Sequence, residues 1–352
     1  MGTIGQHGSI SQKILEHAHP HHHNLTAQLG LVDHNNAALD ANSSLTQACA
    51  AGVASRLERK STLPELWIDP LSPLPLADAA RGGPAVRFVY FIMASRSYAH
   101  ETINRNVMAL QRPGALSDAG TNESNLFVLH ADAKLSGDGL ATLRAGVRPR
   151  PDVYFVRRPR HVMWAGWSMV LAHLDVMASV LTRKLHFEYI INLSDADLSL
   201  RTDAEIRAFL ARIGPRSMIN VHEGGGPVLE EANAFIDAHT IIECGGYGFV
   251  AVNKTHQTFP MTAGCCIGRS GPVSFATLPL ATHPRLLEAA RPVHTGSQWA
   301  VLSRAFCAWL LDGPEAAQLL LAYERRLVPD ESLLQARRLG AATSSALVGP
   351  DL

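Results

Sequence analysis

The stretch Phe88-Val89-Tyr90-Phe91-Ile92-Met93 decides the fold, because a short apolar run rich in aromatic and β-branched residues is typical of a buried β-strand. Residues 100–110 then have helical spacing, and a second apolar run covers residues 125–130. Short apolar strands alternate with helices up to residue 193. This alternation predicts an α/β domain whose mostly parallel central sheet is flanked by helices.

Further elements follow the same pattern. We expect helices over 140–147 and 168–181, with Ser168 as N-cap, strands over 153–156 and 189–193, and two core-packing helices within 300–325. Thr202 and Glu205 have the spacing of a capping box at a helix start. Residues 217–295 are Gly-rich and are expected to be irregular.

Composition divides the chain into three parts. Residues 1–84 contain a His cluster, polar runs and several prolines, and they predict a flexible, stem-like segment. Residues 85–340 carry the strand and helix patterns and form the predicted folded domain, whose C-terminal part is expected to be truncated. Residues 341–352 are expected to be a disordered tail.

Charge and cysteine content exclude several classes of protein. The chain has 352 residues, 31 Lys plus Arg and 31 Asp plus Glu, so no net basic field favours nucleic acid as a partner. Five cysteines without CxxC spacing do not predict a disulfide scaffold or structural zinc. The longest apolar run, residues 88–94, is far shorter than the roughly 20 residues of a membrane span.

Polar residues follow the predicted strands where a parallel sheet binds its ligands. His130-Ala131-Asp132 ends one strand and Ser194–Asp197 follows another. Since ligands of such sheets bind at the carboxyl ends of the strands, these residues predict a binding crevice. Asp195 and Asp197 have the Asp-x-Asp spacing that can hold a divalent cation, but they also precede the capped helix start, and we favour this structural interpretation.

Two further motifs lie near the C-terminus. His294-Thr295-Gly296-Ser297-Gln298-Trp299 is a small-residue turn leading to an indole, on which a sugar ring can pack. Pro329-Asp330-Glu331-Ser332 places a carboxylate at a Pro-bounded helix start, where Glu331 is a candidate general base or merely a helix-terminal acid.

These motifs, with Trp164 and Ile191-Asn192-Leu193-Ser194, resemble glycosyltransferase family 14 over residues 86–340. This family includes core-2/I-branching β1,6-N-acetylglucosaminyltransferases and protein O-xylosyltransferases. The resemblance implies a GT-A-like nucleotide-sugar-binding domain that acts without metal. It also implies an inverting transfer of xylose or N-acetylglucosamine from a UDP-sugar to a hydroxyl of a glycoprotein or proteoglycan-type acceptor, with xylose slightly favoured.

The resemblance also implies residue roles. His130 and Asp132 would contact UDP, Trp164 would wall the donor sugar, and Gln298 with Trp299 would shape the sugar and acceptor sites. Glu331 would be the base. Gln298 departs from the acidic or small residue that the family places there, so the acceptor stays open.

The family's basic C-terminal residues have few counterparts here. Arg337 and Arg338 are the candidates to neutralise the diphosphate; otherwise Asp195 and Asp197 would recruit a metal, or the chain is truncated and is a silent glycan- or nucleotide-binding protein. The family resides in the Golgi and secretory pathway through an N-terminal anchor. Membrane association is expected only through an anchor missing from this sequence.

Overall fold

The structure is a computed structural model that describes residues 63–69, 71, 88–111, 125–185, 187–221, 239–243, 249–253, 273–276, 295–326 and 328–336. Its main sheet has five strands: β1 Phe88–Ala94, β2 Leu126–Ala131, β3 Val153–Phe155, β4 Tyr189–Ser194 and β8 Val301–Ser303. Their order across the sheet is β3-β2-β1-β4-β8. The first four are parallel, and β8 pairs antiparallel with β4. The predicted mostly parallel sheet is therefore confirmed.

The strand order creates one point where the chain changes direction across the sheet. From β1 the chain proceeds outward to β2 and β3, and it then returns to place β4 on the other side of β1. In doubly wound sheets the ligand crevice lies outside the carboxyl ends of the strands at such a switch point. The crevice is therefore expected above the ends of β1 and β4, with the end of β2 beside it.

Six helices accompany the sheet within the described ranges: α1 His100–Leu110, α2 Gly137–Gly146, α3 Trp167–Thr182, α4 Asp203–Ile213, α5 Arg304–Asp312 and α6 Pro314–Tyr323. α1, α2 and α4 pack on the face that carries Tyr90 and Ile92, whereas α3, α5 and α6 cover the face that carries Phe91. Burial on both faces explains the continuously apolar β1 sequence, because a polar side chain on either face would be buried away from water.

Two expected features differ in detail, and a third is as predicted. The segment expected to begin a helix at residue 300 starts as β8, because Val301 and Leu302 pair with β4 before Ser303 caps α5. Ser168 does not cap α3: the N-cap is Gly166, and the Ser168 hydroxyl instead accepts from the Met163 N–H at 2.8 Å. The Thr202–Glu205 capping box is present as predicted.

The region 217–295 contains regular structure that the sequence did not indicate. β5 His239–Glu243, β6 Phe249–Asn253 and β7 Val273–Ala276 form a three-stranded sheet in the order β5-β6-β7. The Ile241 N–H donates to the Arg325 carbonyl at 2.8 Å, which joins this sheet to the chain after α6.

Part of the predicted stem is packed on the domain. The Trp67 N–H donates to Asp175 and the Asp69 N–H to Ser179, both on α3. The Arg160 guanidinium stacks on the Trp67 ring, 4.1 Å from its centroid, and forms an ion pair with Asp175. Residues 63–69 therefore form a strap along α3. The predicted boundary at residue 84 and the predicted tail 341–352 lie outside the described residues.

None of the helices in the described ranges is long and apolar enough to cross a membrane.

Candidate active site

The carboxyl ends of three parallel strands are tied together by backbone hydrogen bonds. The Asp132 N–H donates to the Ala94 carbonyl at 2.8 Å, which extends the β1–β2 pairing by one residue. The Asp195 N–H donates to the Met93 carbonyl at 2.9 Å and does the same for β1 and β4. The residues predicted at the strand ends therefore share one edge of the sheet, as the topology requires.

Asp132 organises the loop after β2. One carboxylate oxygen accepts from the Lys134 N–H at 2.9 Å and from the Val162 N–H at 3.4 Å. The Lys134 ammonium lies 3.6 Å from the other oxygen and donates to the Val162 carbonyl at 2.5 Å. Burial raises the pKa of Asp132, opposed by Lys134. Asp132 thus joins the β2 end to the loop that begins at Val162.

His130 lies inside the core. Only 3% of its surface is exposed, and its Nε2 accepts from the Arg160 backbone N–H at 2.9 Å. Burial lowers the pKa of His130 to about 4, so the ring is neutral near pH 7. This placement favours support of the 160–162 segment over the predicted contact with UDP.

Asp195 is held by donors from the end of β1. Its Oδ2 accepts from the backbone N–H groups of Ser95, at 2.8 Å, and Arg96, at 3.1 Å, and its Oδ1 lies 2.6 Å from the Arg96 guanidinium. Asp197 accepts from the Ser194 N–H at 2.6 Å. Since these carboxylates already serve protein donors, the geometry favours the predicted structural role. Within the described residues no cluster of three His, Cys, Asp or Glu could hold a metal ion.

The loop before α3 carries Trp164, whose exposed fraction of 46% leaves much of the indole accessible. The loop turns sharply: Ala165 has a φ of 61°, and a Cβ on Gly166 would lie 2.7 Å from the Glu243 carboxylate. Glu243 accepts from the Ser168 N–H at 2.8 Å, at the positive end of the α3 dipole. Glu243 therefore fixes the loop that presents Trp164.

The two C-terminal motifs lie against each other. The Gly296 N–H donates to the Glu331 carbonyl at 2.8 Å, and the Gln335 amide donates to the Ser297 carbonyl at 3.0 Å. A Cβ on Gly296 would lie 1.9 Å from the Asn220 carbonyl oxygen, so only glycine fits this contact. The sequence predicted both motifs, and the structure brings their backbones together.

The same turn contacts the Trp164 loop. Glu331 ends a short 3-10 turn, Pro329–Glu331, which follows Val328 in the left-handed conformation. The Val328 N–H donates to the Ala165 carbonyl at 2.9 Å. The loop from Val162 to Gly166 thus contacts Asp132 at its start and the Glu331 turn near its end.

Asp330 and Glu331 are buried, with exposed fractions of 8% and 3%. Burial raises the pKa of Asp330 to about 7. Burial, and secondarily the Asp330 charge, raises the pKa of Glu331 to about 8. A desolvated carboxylate is a stronger base than an exposed one.

The remaining predicted site residues differ in placement. Trp299 is half-buried beside the turn, which agrees with a platform, whereas Gln298 is 6% exposed and faces an internal cavity. This placement favours an internal role for Gln298 over contact with an acceptor. Arg337 and Arg338 lie outside the described residues.

Three site residues were missed by the sequence analysis: Arg96, Glu243 and Arg160. Arg96 directly follows β1 at the switch point, and this position was a usable signal. Glu243 and Arg160 act through tertiary contacts with α3 and with the strap, which no local pattern reveals.

Comparisons with known proteins show which family part of the chain resembles. Residues 110–238 match the family described as Core-2/I-Branching enzyme. Beta-1,3-galactosyl-O-glycosyl-glycoprotein beta-1,6-N-acetylglucosaminyltransferase 3 of Rattus norvegicus is 32% identical over 95 residues, 27% of this chain and 22% of the relative. The Bovine herpesvirus 4 enzyme named beta-1,3-galactosyl-O-glycosyl-glycoprotein beta-1,6-N-acetylglucosaminyltransferase is 24% identical over 210 residues, 59% of this chain and 40% of the relative.

A xylosyltransferase is also similar. Xylosyltransferase oxt of Drosophila melanogaster is 25% identical over 190 residues, 52% of this chain and 18% of the relative. The chain therefore spans less than half the length of these relatives. Residues 110–238 match the model of the core-2/I-branching enzyme family, and this match confirms the resemblance to glycosyltransferase family 14 predicted from the sequence.

Proposed function

We propose that this chain is an inverting glycosyltransferase that moves a sugar from a UDP-sugar to an acceptor hydroxyl, with Glu331 as general base. The observation that carries the proposal is the environment of Glu331. It is a buried carboxylate with a raised pKa, on a turn that contacts both the Trp164 loop and the Gly296 turn. The family match supplies the reaction class.

The proposed step needs one base. Glu331 accepts the proton of the acceptor hydroxyl as that oxygen bonds to the anomeric carbon. The bond from this carbon to the diphosphate oxygen breaks on the opposite face, and its electron pair leaves with UDP. Phosphate is a good leaving group, so no second carboxylic acid is required, in contrast to glycoside hydrolysis.

The sheet edge would hold the donor. Asp132 positions the loop between β2 and Val162, and the exposed face of Trp164 would wall the sugar. The diphosphate needs positive charge nearby, since charge stabilisation is often the largest catalytic contribution. Arg337 and Arg338 remain the proposed source. Arg96 is one-third exposed at the strand ends and is a further candidate.

UDP-xylose with a protein hydroxyl acceptor is the proposed primary pair, as in the xylosyltransferase-like interpretation of the sequence. UDP-N-acetylglucosamine with a glycan acceptor is the second candidate, because the β1,6-N-acetylglucosaminyltransferase relatives align over more of the chain. We also propose secretory-pathway residence and a glycoprotein or proteoglycan-type acceptor on the basis of the family.

The test is UDP release from each donor, with a serine-containing peptide or a β1,3-galactosyl O-glycan as acceptor, and with or without EDTA. Glu331→Gln should lower kcat by about 10²–10⁴-fold, the usual contribution of a positioned base. The matched control is Glu315→Gln, an exposed glutamate in the first turn of α6, which should leave kcat unchanged.

The outcomes separate the alternatives. Full activity of Glu331→Gln would remove this residue as base. Turnover that survives EDTA supports a metal-free reaction, whereas loss on chelation would return attention to Asp195 and Asp197. Binding of UDP-sugars without turnover on any acceptor would favour the silent binding protein.

A further inference from the structure

A small cavity lies directly behind the Glu331 turn. Its volume is about 30 Å³, and its lining is mainly aliphatic side chains of α3, β8 and α5. Four polar side chains also face it: His173, Asn192, Gln298 and Asp330. Polar groups inside an aliphatic pocket are costly unless each finds a hydrogen-bond partner.

Two of the four polar side chains are satisfied by the protein. His173 Nδ1 lies 2.9 Å from the Met169 carbonyl, and because a carbonyl can only accept, this nitrogen carries the proton. His173 Nε2 then accepts from the Asn192 amide at 3.1 Å. The Asn192 amide nitrogen also donates to the backbone carbonyl of Gln298 at 2.8 Å. The Asn192 amide oxygen accepts from the Ala300 N–H at 2.7 Å.

The other two are not satisfied. Gln298 Oε1 and Asp330 Oδ1 are buried, and neither has a hydrogen-bond partner among the described residues. The two residues are only 6% and 8% exposed. Both atoms are acceptors, so they cannot satisfy each other unless the Asp330 carboxyl is protonated. An unmet buried acceptor has lost the hydrogen bonds to water that it makes in the unfolded chain, and it gains none in return.

A water molecule matches this site in size and in chemistry. One water needs roughly 10–15 Å³ of such space, so the cavity has room for it. Its two O–H groups are the two donors that Gln298 Oε1 and Asp330 Oδ1 lack. We propose that a buried water bridges Asp330 to Gln298, and that these two residues position the turn carrying Glu331.

The bridge links the base to the sheet. Asn192 on β4 fixes the backbone of Gln298, the water would join the Gln298 amide to Asp330, and Glu331 is the next residue. Gln298 is then part of the support behind the base rather than of the acceptor site. The link to catalysis rests on the proposed function, whereas the water bridge itself does not.

The charge on Asp330 should be felt by Glu331. Asp330 raises the pKa of Glu331, since two adjacent carboxylates resist both being ionised. His173 on α3 is the other titratable group that faces the cavity, and burial lowers its pKa, so it stays neutral. The β4 and 295–300 segments contribute the uncharged amides Asn192 and Gln298.

The experiment compares Gln298→Leu, Asp330→Asn and the double variant, with Gln318→Leu as a control on the exposed surface of α6. Thermal unfolding of all variants measures coupling. Substitutions within one hydrogen-bond network are non-additive, so the Tm shift of the double variant should differ from the sum of the two single-variant shifts by about 2 °C. Additive shifts would overturn the bridge, as would a dry cavity in a high-resolution crystal structure of the full chain.

Activity tests the positioning role separately. Asp330→Asn removes a charge beside Glu331, so the pH at half-maximal kcat/KM should move lower by roughly one unit. A lower rate with an unmoved pH midpoint would refute the link to Glu331. If the wild-type chain turns over no UDP-sugar, the proposed function fails, and the unfolding cycle and the crystal structure still decide the water bridge.

Discussion

Asp195 and Asp330 are both buried aspartates of the candidate site, but they differ in the hydrogen-bond donors around their carboxylates. Asp195, at the end of β4, accepts hydrogen bonds from two backbone N–H groups and from the Arg96 guanidinium. Asp330, on the C-terminal turn, has one oxygen with no donor among the described residues, and burial raises its pKa to about 7. At the strand ends the Asp195 carboxylate has hydrogen-bond donors, and we call these strand ends the framework. On the turn, one buried acceptor of Asp330 has no donor among the described residues, which lowers the stability of the folded state.

This difference supports the proposal that Glu331, on the C-terminal turn, is the catalytic base. Buried polar groups in native proteins are normally satisfied, and the exceptions cluster at functional sites. Perturbed pKa values cluster there too, although structural ion pairs also cause them. The unsatisfied oxygen of Asp330, together with the raised pKa values of Asp330 and Glu331, therefore supports the proposal that the reaction takes place at this turn.

The largest stability effect should come from the satisfied region. Asp195→Asn replaces the charge that pairs with Arg96 and turns one acceptor into a donor facing N–H groups. Because Arg96 is one-third exposed, we expect a loss of about 2 kcal/mol in the free energy of unfolding, below the 3–5 kcal/mol of a fully buried pair. Urea denaturation would measure it.

The control is Asp312→Asn, an exposed aspartate at the end of α5, which should stay within about 0.5 kcal/mol of the wild type. A loss at Asp195 no larger than at Asp312 would show that the strand ends are not a framework. The contrast with Asp330 would then have no basis.

The sequence predicted the framework better than the turn. The apolar run at residues 88–93 predicts a strand buried on both faces, and such a strand must be central. The end of β2 then places Asp132 at the carboxyl edge of the sheet without further information. The capping box at Thr202 was likewise visible, because its hydrogen bonds are local.

Tertiary contacts explain what the sequence did not predict. His130 and Gln298 each have a side chain suited to binding a ligand, but whether it faces the crevice or the interior depends on distant partners. For His130 the partner is Arg160, which the strap at residue 67 holds in place. For Gln298 it is the Asn192 side chain, 106 residues away along the chain.

The second prediction concerns pH. The pKa values of Asp330 and Glu331 are raised in the folded state, so between their unfolded values and pH 7–8 the folded protein binds more protons. The free energy of unfolding should therefore fall by about 1 kcal/mol as pH rises from 7.5 to 8.5. The opposite contribution of His130, lost as pH falls from 6.5 to about 4, lies below this window.

Asp330→Asn identifies the source of this slope. The buried carboxyls of Asp132 and Glu243 also have raised pKa values and add to it in the same direction. The variant should flatten the decline above pH 6.5, as measured by urea denaturation at several pH values. An unchanged slope would mean that Asp330 is as well stabilised in its charged form as Asp195.

The smallest effect on stability is expected at Trp164, which lies on the loop from Val162 to Gly166. Its indole is 46% exposed, so Trp164→Ala should change the free energy of unfolding by less than about 1 kcal/mol. If the ring walls the donor sugar, the variant loses contact area in the ground state and in the transition state alike. KM for the UDP-sugar should then rise by about five- to tenfold with little change in kcat.

The control is Leu200→Ala, at a site 92% exposed, which should alter neither KM nor kcat. A stability loss well above 1 kcal/mol with unchanged KM would assign Trp164 to the packing of the loop, and the donor sugar would have to be bound elsewhere along the strand ends.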